Sequence, residues 1–110
     1  MYLHKNLAQG RWFELSLCEQ LGNVGSEVGR AANWEKRGDV IQRDKALERA
    51  VDLLDLTISD DRWRGGRLKE LCRAREVLKD TFWGDRTYGS TPEQEEKYYF
   101  HYALAARKDI

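Results

Sequence analysis

Apolar residues recur at Phe13, Leu17, Leu21, Val24, Val28 and Ala31, separated by three or four positions each time. At about 100° per residue these side chains share one face of a helix. The helix is expected to start near Asn6 or Leu7 and to run to Lys36, just before Gly38. Some 30 residues at 1.5 Å each would span roughly 45 Å. Beside the apolar face lie Cys18, Gly22, Gly25 and Gly29, a second stripe of small residues. The glycines together cost roughly 2 to 3 kcal/mol of helix propensity relative to alanine, a deficit that close approach of another helix would offset. A break or kink between Gly22 and Gly25 is the alternative reading.

Gly38 and Asp39 form a turn whose aspartate can cap a second helix, Val40 to Ile58. Its predicted core face is Val40, Leu47, Val51, Leu54 and Ile58, with Asp44, Glu48, Asp52 and Asp55 along one flank. After the polar turn from Ser59 to Gly66, a third helix is expected from about Arg67 to Trp83, with Leu68, Leu71, Leu78 and Phe82 inward and Gly84 ending it. Thr91, Pro92 and Gln94 carry the clearest local signal, an N-cap threonine, proline at the first helical position and glutamine closing a capping box. The fourth helix should run from there to about Lys108. Short connections imply antiparallel neighbours, so the expected architecture is an all-α, up-down-up-down four-helix bundle with a long, glycine-striped first helix. The 110 residues make one domain, 1–110.

Charge adds little direction. Nineteen basic and nineteen acidic residues cancel, so nucleic acid or an anionic membrane could be engaged only through a local patch. Neither a signal-peptide core nor a run of transmembrane length is present, and Cys18 and Cys72 have no metal-ligand spacing. A cytoplasmic protein with reduced thiols is expected. The acidic flank of the second helix lacks facing histidines, since His4 and His101 belong to no Glu-x-x-His pair, and no metal or other cofactor is implied. Ser-His-Asp, Cys-His, phosphate-loop and dinucleotide patterns all fail on residue supply or context. An arginine four to six residues before a histidine, the spacing seen in helical nucleotide-binding-type ribonucleases, is also missing. A non-enzymatic protein is expected.

Three constellations remain. Arg62, Trp63, Arg64, Gly65, Gly66 and Arg67 place arginines, a stacking ring and two glycines before a helix N-terminus, a pattern suited to a phosphate or an unpaired base. The competing reading is that the acidic second helix neutralises this turn from within. Arg75 interrupts the apolar stripe of the third helix and must snorkel outward or form a buried ion pair, with Asp52, Asp55 and Glu27 as candidate carboxylates, the alternative being an anion-binding or catalytic group. Tyr98, Tyr99, Phe100, His101 and Tyr102 set rings all round the fourth helix, more than one bundle core can bury. Trp34, Trp83 and Tyr88 should fall at one end of the bundle and Trp12 and Trp63 at the other, either plugging the core or offering a docking surface.

The runs 23–31 (NVGSEVGRA), 49–58 (RAVDLLDLTI), 67–78 (RLKELCRAREVL) and 88–91 (YGST) resemble a family of short prokaryotic helical proteins without an established activity, so the resemblance implies no site. In architecture the chain is also similar to small four-helix proteins encoded in ribosomal intervening sequences and to accessory proteins of diversity-generating retroelements. Those act as oligomers on partners or nucleic acid, an analogy of fold alone. The leading expectation is a self-associating interaction module that binds an as yet unknown protein partner, with a nucleic-acid-binding accessory protein as the alternative. The expected dimer pairs the first helix with its own copy across Gly22, Gly25 and Gly29, joined by Tyr98 and Tyr102 of the fourth.

Overall fold

A computed structural model describes residues 10–108. Four helices, α1 (Leu17–Lys36), α2 (Val40–Ile58), α3 (Gly65–Trp83) and α4 (Pro92–Lys108), follow a short 3-10 turn at Arg11–Glu14, and no strand occurs among the described residues. The expected start of the first helix at Asn6 or Leu7 lies outside the described residues. Its expected continuity through residues 10–16 is corrected: Leu15 and Ser16 are extended, and Ser16 caps a helix that begins at Leu17. The Ser16 hydroxyl accepts from the Glu19 amide at 3.1 Å while the Glu19 carboxylate accepts from the Ser16 amide at 2.9 Å. This capping box satisfies donors that a helix start leaves orphaned, and it brings α1, at 20 residues, close to the length of its neighbours of 19, 19 and 17.

Past that start α1 runs unbroken through all three glycines to Lys36. Gly38, at φ 74°, reverses the chain, and the Asp39 carboxylate accepts from the Gln42 amide at 3.0 Å to cap α2. Gly84 follows the last residue of α3, and Thr91 and Gln94 exchange side-chain and backbone hydrogen bonds at 3.2 and 3.1 Å to open α4.

Most of the core comes from α1 and α2. Leu21, Val24, Val28 and Ala31 meet Leu47, Ala50, Leu54 and Leu56, all essentially inaccessible. Val40, expected inside, is 52% exposed, because the first residue of α2 lies one turn beyond the apolar layers. Leu71, Leu78 and Phe82 enter the core from α3, whereas α4 contributes one large buried ring, Tyr99. α1 packs extensively on both α2 and α4, while α3 and α4 meet only sparsely.

The glycine stripe seats α4. A Cβ on Gly22 would lie 3.2 Å from the Ala103 backbone, one on Gly25 2.7 Å from the Tyr99 Cβ, and one on Gly29 3.2 Å from the Glu96 carboxylate. The expected pairing of α1 with its own copy across these residues is therefore corrected: the chain's own α4 occupies that surface. Gly25→Ala should lower stability by about 1 to 3 kcal/mol through overpacking, even though alanine is the better helix former. Gly66→Ala, in open space within α3, should be neutral or stabilising by up to about 1 kcal/mol. Urea denaturation of both variants, compared at constant slope, checks the contrast.

Candidate functional site

The basic turn before α3 closes inward. Arg62 directs Nε and Nη2 at Asp60, with Nε 3.1 Å from Oδ1 and Nη2 2.7 Å from Oδ2, and Nη2 also donates to the Leu15 carbonyl at 2.6 Å. Asp60 is 4% exposed. The Arg62 guanidinium holds its carboxyl below the ordinary carboxylate value, against the opposing pull of burial. Trp63 donates from Nε1 to Gln20 Oε1 at 2.9 Å, and its ring lies 4.6 and 5.8 Å from the guanidinium carbons of Arg62 and Arg67. Gln20 completes the cluster by donating from Nε2 to the Trp12 carbonyl and to Asp60 Oδ2, each at 3.0 Å. Trp12, fully buried, donates to Thr57 Oγ1 at 3.1 Å.

Of the six residues expected to form an anion site, Arg62 and Trp63 thus tie the turn to α1, while Arg64, Gly65, Gly66 and Arg67 remain on the surface. Gln20, Thr57 and Asp60 here, and Thr81 and Glu95 elsewhere, are buried polar residues that sequence patterning passed over. Gln20 did carry a signal, since it stands three residues after Leu17 and four before Val24 on the apolar face. A polar side chain there must find partners.

Arg75 reaches Asp55, with Nε 2.6 Å from Oδ1, and also Glu76 at 3.2 Å. The two side chains are 26% and 35% exposed, so the expected burial of this pair is corrected to a rim position, where such pairs contribute about 1 kcal/mol or less. Glu27, buried between α1 and α2, serves Arg30 and Arg49 instead, the latter with Nε 2.5 Å from Oε2. Asp52 is half-buried on α2. Cys18 and Cys72 are free thiols, and no group of three or more metal-ligating side chains occurs among the described residues.

Tyr98 and Tyr102 do not stand apart for a second copy. They stack edge-on at 5.5 Å along α4, and the Tyr102 hydroxyl lies 3.4 Å from Glu70 of α3. Where these two helices separate, a cleft of about 280 Å³ opens, lined by Glu70, Arg73, Ala74, Val77, Glu95 and Tyr98. Glu95 is 7% exposed and accepts one hydrogen bond, from Ser90 Oγ at 2.6 Å. Burial pushes its carboxyl above the ordinary value, and the serine opposes that shift. Tyr99, wholly buried beside it, has the one buried side-chain polar atom without a hydrogen-bond partner among the described residues. Arg73 turns away to lie 5.5 Å from the Tyr88 ring.

Elsewhere Val40, Ile41, Trp83 and Tyr88 expose 52, 70, 42 and 52% of their surface. Trp83 is fixed there by a 2.8 Å hydrogen bond from Nε1 to Asp44, which with Arg43 depresses the Asp44 carboxyl. Phe100 and Leu104 form a further exposed pair one turn apart on α4. No protein-family model matches the chain, and no curated protein or solved structure is significantly similar to it.

Gln20→Leu should cost about 3 kcal/mol, because it leaves the Trp63 donor and the Asp60 carboxylate short of partners in a buried setting. Thermal and urea unfolding would register the loss. Asp60 titrates below its ordinary 3.8 in the folded protein, so its contribution is full above that value and disappears as pH falls through the native one. Asp60→Asn should consequently be less stable than the parent at pH 7 and converge with it in acid, a difference visible in the midpoint measured against pH.

Proposed function

We propose that the protein is a non-enzymatic, up-down-up-down helical interaction module that self-associates through the outer face of α1 and α4 and presents a protein-binding surface in the cytoplasm. The antiparallel order is supported by contact pairs that run in opposite senses: Gly22 faces Ala103 and Gly29 faces Glu96, while Gln20 meets Asp60 and Glu27 meets Arg49. The free thiols accord with a reducing compartment.

The observation that carries the reading is the position of Phe100. It is 52% exposed, yet it borders a depression of about 180 Å³ lined by Gly22, Gly25, Ser26 and Ala103 together with Tyr99, Glu96 and Arg107. A projecting ring beside a small-residue hollow on one face is self-complementary: under two-fold symmetry each copy can insert its ring into the hollow of the other. Leu104, one turn on and 37% exposed, extends the apolar contact. This surface replaces the glycine-to-glycine pairing, since its hollow opens at the edge of the α1–α4 seam rather than across the glycines that α4 covers. Val40, Ile41, Trp83 and Tyr88 supply a separate apolar and aromatic surface of the composition found where binding energy concentrates.

Sedimentation equilibrium at micromolar concentration is expected to give twice the 12.9 kDa chain mass. Phe100→Glu should return it to the single-chain mass with its helical circular dichroism unchanged. A parent protein that sediments as one chain across that range would defeat the self-association reading.

A further inference from the structure

We propose that the cleft between α3 and α4 binds an alkylammonium or alkylguanidinium group, with Glu95 as its buried counter-ion, Glu70 as a second carboxylate and Tyr98 as an aromatic wall. This goes beyond self-association, which uses the other side of α4.

The cleft combines three features that favour a cation on an aliphatic stem. The first is a carboxylate out of water without a cation of its own: Glu95 is 93% buried by its 7% exposure, is held in place by Ser90, and forms no ion pair among the described residues. Five other buried or half-buried carboxylates, Glu27, Glu35, Asp44, Asp55 and Asp60, are each matched to an arginine. An ionised carboxylate removed from water gains most from an added positive charge. Its position in the first turn of α4 supplies some compensation from the helix dipole, but no full counter-charge.

The second feature is an aromatic edge. Tyr98 lines the cleft, and Tyr102, edge-on against it, directs its hydroxyl to Glu70. Carboxylates combined with tyrosine rings are the recognition chemistry of organic cations. The third is the floor, where Ala74 and Val77 offer apolar contact to a methylene stem. Arg73 also borders the cleft, but its guanidinium is engaged over Tyr88 rather than on either carboxylate. An anionic ligand would have to approach two carboxylates, which disfavours it.

The test titrates n-butylammonium and n-butylguanidinium into the isotopically labelled full chain at pH 7 and low salt, with 1-butanol as the neutral control, and follows Ala74, Val77, Tyr98 and Tyr102 by nuclear magnetic resonance. Saturable shifts at these residues with the cations and not with the alcohol are expected. Glu95→Gln retains an acceptor for Ser90 and should weaken cation binding about tenfold or more without lowering the thermal midpoint at pH 7. Ala74→Met, which fills the floor from the other helix, should abolish the shifts independently. Nα-acetyl-lysine-N-methylamide separates the sources: binding at least as tight as that of butylammonium points to a partner's side chain, and binding of the free amine alone points to a small-molecule amine. Equal response to 1-butanol, or undiminished cation binding by both variants, would overturn the proposal, whatever the oligomeric state.

Discussion

The close approach of α4 to α1 over Gly25 is the contact on which the rest of the bundle depends. With no side chain on Gly25, the Tyr99 backbone and Cβ settle directly against α1 and the ring passes into the core. Tyr99 is the single large buried ring of α4, so this one approach accounts for much of the apolar burial that holds the helix in place. It also sets the rotation of α4 about its axis. Once Tyr99 faces inward, Tyr98 and Tyr102 must turn toward α3, and Phe100 and Leu104 must turn outward.

That rotation shapes both proposed surfaces at once. Drawing α4 tightly onto α1 keeps it away from α3, and the sparse contact between α3 and α4 is what leaves the cleft with Glu95 at its edge. The same orientation sets Phe100 beside the hollow over Gly22 and Gly25. A cation in the cleft and a second copy on the α1 and α4 face would therefore contact opposite sides of one helix. The two proposed sites would differ in chemistry, one governed by charge and aromatic contact and the other by the fit of a projecting ring into a hollow.

At the end of the molecule where α2 gives way to α3, polar contacts replace apolar ones. Gln20 ties the 3-10 turn, the start of α3 and Asp60 to α1 through three hydrogen bonds. Arg62 closes the same cluster onto Leu15. Buried networks of this kind rigidify a structure when each member is satisfied, and here they convert a turn rich in arginine into an anchor. Of the turn's arginines, Arg62 is thereby answered within the chain, while Arg64 and Arg67 stay on the surface.

Local signals legible in the sequence were those whose physics is local. The periodicity of Leu17 to Ala31, the Asp39 cap, Gly84 and the Thr91 to Gln94 capping box each act within a few residues, and the helices end where they dictate. Ser16 and Glu19 carried a capping signal of the same kind, but the apolar step from Phe13 to Leu17 masked it, because a 3-10 turn can present Phe13 to the core as well as a helix can. Tertiary structure alone decided which partner the glycine stripe receives, since a small-residue face fits an intrachain helix and a second copy equally well. It alone decided the partner of Arg75, since the choice among Asp52, Asp55 and Glu27 depends on how α3 is set against α2. The cleft was illegible for the same reason: Glu70 and Glu95 lie on different helices, and their shared surroundings arise from how far α4 is drawn toward α1.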